Sequence, residues 1–124
     1  MARITTITLF KSESLSAGES GTSGVIDLRY CSDGGRYSLS HSIAAGTSTT
    51  CGTTTFSYVG SSIFNGEYVN PSTNGTFATS GPTIVGKITP LSPVLAPFMK
   101  IVATQTGSGT AGANSSVTAE LNVQ

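Results

Sequence analysis

What most constrains this chain is the period of its apolar residues. They recur at every second position, the spacing that lines one face of a strand, and no useful length follows the three-and-four spacing of an amphipathic helix. Residues 3–15 (RITTITLFKSESL) open the series as a first strand, with Ile7 and Leu9 on one face. A turn at 16–21 leads to residues 22–31 (TSGVIDLRYC), where Ile26, Leu28 and Tyr30 alternate with Asp27 and Arg29. The Asp-Gly within SDGG, 32–35, suits a tight hairpin because those residues tolerate positive φ. Residues 36–45 set Tyr37, Leu39, His41 and Ile43 opposite Ser38, Ser40 and Ser42, and 51–59 align Thr54, Phe56 and Tyr58. Turn dipeptides make 60–82 loop-like, with a short strand near Thr76–Thr79. The closing segment predicts a hairpin: strand 98–106, the loop GSGTAGAN, and strand 115–124 with Val117, Ala119, Leu121 and Val123 inward. Seven to eight short strands predict an all-β fold, an antiparallel β-sandwich of jelly-roll-like kind with no significant helix. Residues 1–124 make one such domain, and a chain of this length buries enough surface for one core.

One segment breaks the pattern. In 83–97 (TIVGKITPLSPVLAP), Ile84, Val85, Ile88, Leu91, Val94 and Leu95 are apolar, but Pro90, Pro93 and Pro97 forbid a regular helix and disfavour a central strand. The stretch reads as an extended arm that begins as a strand and continues as a proline-stiffened crossover. It either caps the open end of the sandwich or docks on neighbouring subunits. The two uses nearly balance; in the second, prolines ease ordering of the arm, since less conformational freedom is lost on binding.

Charge is scarce. Six Lys+Arg balance six Asp+Glu, and charged residues are 10% of the chain against roughly 25% in average globular proteins. Six scattered cations make no phosphate-neutralising patch, so direct nucleic-acid binding is not expected. No apolar run reaches membrane-helix length, and the first residues are too polar and interrupted for a signal-peptide core, so synthesis in a cytoplasm without a leader is expected.

The chemistry-bearing motifs are weak. Gly107, Gly109 and Gly112 match GxGxxG, but a strand rather than a helix follows, so no pyrophosphate cradle forms. The single histidine, His41, shares a face with Leu39 and Ile43, the place of a core or interface histidine rather than a catalytic base. Acidic residues lie singly, without metal-binding or paired-carboxylate spacing. No catalytic residue, cofactor or metal is therefore assigned. Tyr30, Tyr37, Tyr58 and Tyr68 could stack on sugar rings, but the first three occupy inward positions suited to core packing. Cys31 and Cys51 are either a disulfide or two free thiols. A flat meander of the strands at 22–31, 36–45 and 51–59 would hold them about 25 Å apart, whereas a disulfide needs Cα atoms within about 7 Å. Only a fold that doubles back within 32–50 permits the bond.

The stretches TSGVIDLRYC–SDGG–RYSLSHSI, GTSTTCGTTTFSYVGSS and PFMKIVATQTGSGT…SSVTAELNVQ together resemble small accessory proteins of tailed-phage virions, the capsid decoration (cement) and related head or tail surface proteins. The resemblance is one of style over most of the chain. It implies a non-enzymatic protein at the virion surface that adds to a preformed shell, often as a homotrimer, with a major capsid or tail protein as partner. A tail, fibre or filament subunit is the alternative, and a carbohydrate-binding module a second. On this reading the contact-makers are the N-terminal arm 1–12, with Ile4, Ile7, Leu9 and Phe10, and residues 83–98, with Ile84, Val85, Ile88, Leu91, Val94, Leu95 and Phe98. Oligomer contacts are expected on the outward faces of 22–31 and 98–106.

Overall fold

In the computed structural model, residues 4–16, 18–29, 37–45, 54–71, 76–80, 84–91, 96–105 and 114–123 are described. Among them are nine strands and no helix: β1 (Thr5–Ser16), β2 (Ser20–Thr22), β3 (Ile26–Asp27), β4 (Tyr37–Ala45), β5 (Thr54–Ser61), β6 (Thr76–Ser80), β7 (Ile84–Leu91), β8 (Phe98–Gln105) and β9 (Asn114–Val123). Two antiparallel sheets form, one ordered β1-β9-β4-β7, the other β2-β8-β5-β6 with β3 also on β8. The fold is an all-β, two-sheet sandwich, as the alternation requires.

The core is the set of inward alternate residues. Leu39 and Ile43 of β4 and Val117, Ala119, Leu121 and Val123 of β9 face Phe56 and Tyr58 of β5 and Met99, Ile101 and Ala103 of β8, all buried. Gln105 is also fully buried, its Nε2 donating to the Leu15 carbonyl and so tying β8 to β1 across the layers.

Connectivity departs from the sequence reading in three places. The closing segment is not a hairpin, because β8 and β9 belong to different sheets and each is flanked by other strands. Likewise β3, β4 and β5 are no meander: β4 lies in one sheet, β3 and β5 in the other. The premise that held Cys31 and Cys51 apart is thereby removed; both cysteines lie outside the described residues.

The third departure is at 22–31, which is two short pieces rather than one strand. The five residues from Thr22 to Ile26 oppose only four on β8, from Val102 to Met99. The mismatch is absorbed at Ser23, whose N–H donates to the Ile101 carbonyl (2.9 Å) and whose hydroxyl accepts the Ile101 N–H (2.9 Å). A side chain thus stands in for a backbone acceptor, and the hydroxyl is buried. Ser23→Ala leaves the Ile101 N–H buried without a partner and should cost about 1–3 kcal/mol, read as a lower urea midpoint; a loss below about 0.5 kcal/mol would show that water replaces the hydroxyl.

Every edge is irregular. On β1, extra residues sit between Thr8 and Phe10 and between Phe10 and Glu13, with Ser12 at φ 52 in the second bulge. These shifts explain why Ile7, Phe10 and Leu15, which do not share one parity, all pack inward. On β7 the extra residue is Gly86, at φ 63, opposite the step from His41 to Ile43. The β6 edge is bulged opposite Phe56 and Ser57. Bulged edges resist pairing with a further strand. The central strands β4, β5, β8 and β9 pair with one another without a shift.

Candidate functional site

Beyond β5 the chain does not leave the sandwich but folds back over the outer face of β8. Ser61 starts the turn: its buried hydroxyl accepts the Ile63 N–H (3.1 Å) and donates to the Ile63 carbonyl (2.7 Å). That carbonyl also accepts the Gly66 N–H (3.0 Å). A Cβ on Gly66 would sit 2.8 Å from Ser61 Oγ, so the turn closes this tightly only around glycine. The Tyr68 hydroxyl donates to the Phe64 carbonyl (2.9 Å), and Gly60 and Val69 exchange both backbone hydrogen bonds at 3.0 Å. The loop is a fixed platform.

Beneath it is a small second cluster. Phe98 is buried, yet it points away from the main core and belongs to no part of it. Phe64 meets it edge-on, ring centres 5.7 Å apart, and the Arg29 guanidinium lies 5.0 Å from the Phe98 ring centre. Asp27 holds Arg29 in place, Nη2 to Oδ2 at 2.7 Å and Nε to Oδ1 at 3.0 Å. The Arg29 side-chain hydrogen bonds, then its backbone N–H, hold the Asp27 carboxyl below the usual carboxylate range. Lys100 Nζ lies 4.3 Å over the Tyr68 ring, completing a second cation–ring pair.

The platform leaves large apolar groups in water: Ile63, Phe64 and Val69 are 67%, 54% and 54% exposed. Beside them opens a cleft of about 400 Å³ whose walls include Ile63, Val69, Pro71 and Ala96, with Tyr58 and Gly60 below. Ser62, Glu67 and Asn70 stand exposed on it, and Glu67 has no ion-pair partner among the described residues.

The residues expected as contact-makers are not gathered here. Phe10 and Leu91 are buried in the sandwich's own core, and Ile7 and Leu9 pack against it. Phe98 lies under the platform. Ile84 and Val85 belong to β7, while Val94 and Leu95 lie outside the described residues, as does Tyr30. Ile4 and Ile88 remain well exposed, on the two opposite edges of one sheet. From Thr5 onward the span read as an N-terminal arm is an edge strand, and 84–91 is the edge strand opposite it, Pro90 being tolerated there. Tyr58 and Tyr37 point inward as expected, and Tyr68 is half-buried under Lys100. The apolar pair Ile63-Phe64, set between Ser62 and Asn65-Gly66 where loops are otherwise polar, was the available sign of the platform.

His41 is 2% exposed, its ring 5.0 Å from that of Phe56. Neither ring nitrogen has a hydrogen-bond partner. Burial pushes its pKa below the usual histidine value; the Leu39 carbonyl nearby opposes this without bonding to either nitrogen, and the Lys87 ammonium adds to it. Among the described residues, no three His, Cys, Asp or Glu side chains gather as a metal site would require.

The architecture defines a class, the antiparallel β-sandwich, and comparison with solved structures bears on it directly. A structure of infectious bursal disease virus (Gx strain) superposes with a TM-score of 0.59 at 18% identity, over 98% of this chain and 31% of that one. A subviral particle of that virus's VP2 gives 0.47 at 17% identity, over 98% and 32%. A family 29 carbohydrate-binding module complexed with mannohexaose gives 0.49 at 17% identity, over 98% and 93%. This chain spans about a third of the length of the two viral chains. The likeness is one of fold. No family model matches the chain, and neither does any curated protein.

Proposed function

We propose that this chain is a non-enzymatic structural component of a virion, attaching to a preformed shell as a decoration protein does. The observation that carries the reading is the fixed platform at 61–71, which holds Ile63, Phe64 and Val69 in solvent. A pre-ordered apolar patch loses little freedom on binding, and large exposed apolar groups mark interaction surfaces. The fold shared with a chain from the structure of infectious bursal disease virus supports the same reading. Attachment proceeds by side-chain docking rather than strand addition, since all four sheet edges are interrupted or bulged. Copies assemble around the shell as a closed homo-oligomer; light scattering on the purified chain should give one fixed size, and concentration-dependent polymers would favour the tail, fibre or filament alternative.

Mass spectrometry of purified particles should find the chain in fixed ratio to the main shell subunit. Ile63→Ser should lower that ratio by about tenfold or more, from the loss of one buried apolar side chain, with an unchanged urea midpoint. Particles free of the chain, or unaffected by Ile63→Ser, would overturn the reading.

A further inference from the structure

We infer that the cleft beside the platform is a peptide-docking site, taking one apolar side chain followed by a lysine or arginine on a segment of a neighbouring shell subunit; this rests on the shell-component reading. Three observations converge. The walls Ile63, Val69, Pro71 and Ala96 are apolar; Ile63 and Val69 are more than half exposed and Pro71 and Ala96 partly so, so an entering hydrocarbon group displaces water from them. At about 400 Å³ the space is near the low end of ligand pockets, roughly 300–1,000 Å³, enough for one anchoring side chain and its flanks. Among the described residues Glu67 is the one charged side chain on the lining, and it has no ion-pair partner although Arg29 and Lys100 lie against Phe98 and Tyr68 at the same loop.

The nearby cations are engaged elsewhere. Arg29 is held by Asp27 over Phe98, and Lys100 sits over Tyr68. Glu67 is therefore left to a charge arriving from outside, and the arriving charge that complements it is positive. A saccharide fits less well. Sugar rings stack on open aromatic faces, but among the described residues the only aromatic one of the lining, Tyr58, is buried. The ring of nearby Tyr68 already carries Lys100 on a face. Gly60 lies close to Ala96, where an added Cβ would come within 3.1 Å of the Ala96 methyl, so the base of the cleft has room for one entering side chain.

The test uses the full chain and two capped tetrapeptides, N-acetyl-Gly-Leu-Lys-Gly-amide and its counterpart with glutamate in place of lysine. Methyl resonances of Ile63, Val69 and Ala96 should shift on titration with the lysine peptide, which should bind about fivefold more tightly than the glutamate peptide. Glu67→Gln, at an exposed position, should reduce that preference to less than about twofold. Equal affinity for the two peptides, shifts confined to methyls elsewhere, or the same three methyls responding to mannohexaose and to neither peptide would each overturn the inference. Particle composition is a separate readout. A chain present on particles that shows no lysine preference fails this inference alone, and a lysine-preferring chain absent from particles fails the shell reading.

Discussion

Phe56→Ala should lower the unfolding free energy by about 3–5 kcal/mol, the largest loss expected for any single truncation among the described residues. Phe56 is fully buried in the middle of β5, which is itself a central strand between β8 and β6. Its ring reaches across the sandwich to His41 on the other sheet, so truncation empties a space that both layers line. Collapse there is opposed by two sheets whose central strands pair without a shift, and a rigid cavity keeps its full cost. Since domains are stable by only about 5–15 kcal/mol, the variant should be partly unfolded at moderate temperature. Phe64→Ala is the control. It removes the same atoms from an exposed ring that makes one edge contact, and should cost about 1 kcal/mol. Urea unfolding of the two variants checks the contrast; equal losses would mean that the platform, not the sandwich interior, limits stability.

Much of the interior was legible because a strand buried on one face writes its burial at every second residue. Leu39, His41 and Ile43, then Thr54, Phe56 and Tyr58, then Val117, Ala119, Leu121 and Val123, are inward as the alternation requires. Pairing was not legible. Alternation says which face is buried but not which strand lies alongside, so β8 and β9, adjacent in sequence and separated by a glycine-rich loop, read as a hairpin although they lie in opposite sheets. Bulges were hidden for a related reason. Ile7, Phe10 and Leu15 violate any single parity, and only the β9 register reveals the inserted residues that turn all three inward. The platform escaped because turn dipeptides predict where a chain reverses and say nothing of what the reversal covers. Phe98 had an apolar neighbour on each side of the alternation, and its outward position under Phe64 and Arg29 follows only from the fold-back of the loop.

These departures bear on the contact-makers. Segments 1–12 and 83–98 look extended and apolar, which is also how edge strands look. Phe10 and Leu91 are drawn into the core by the same bulged strands whose irregular edges discourage strand addition. Adhesion is therefore expected where apolar groups are both exposed and fixed. Ile63, Phe64 and Val69 meet that condition together, on a turn locked by Ser61 and Tyr68.

Acid should destabilise the chain through His41. Its pKa is lowered in the folded state because a charged imidazolium would be buried beside Phe56 with no acceptor for either N–H, so the unfolded chain binds the proton more readily. Stability is then fully present above the unfolded value of about 6.5 and falls as pH drops from there toward the lowered native value. The slope approaches about 1.4 kcal/mol per pH unit for one proton. The Leu39 carbonyl favours the charged ring but bonds to neither nitrogen, and the other neighbours do not rescue the charge. Ala119 is its register partner on β9, Phe56 faces it from β5, and Lys87, opposite it on β7, is itself positive. Asp27, whose carboxyl is held below the usual range by Arg29, lies on the other sheet and stays ionised through this window. His41→Leu removes the titrating group and fills the same apolar site, so it should be the more stable protein at pH 5.5 and show a flatter profile between pH 7.5 and 5.5. Urea midpoints of the two proteins across that range decide the matter. Parallel profiles would mean that the protonated ring finds water or an acceptor inside the folded sandwich.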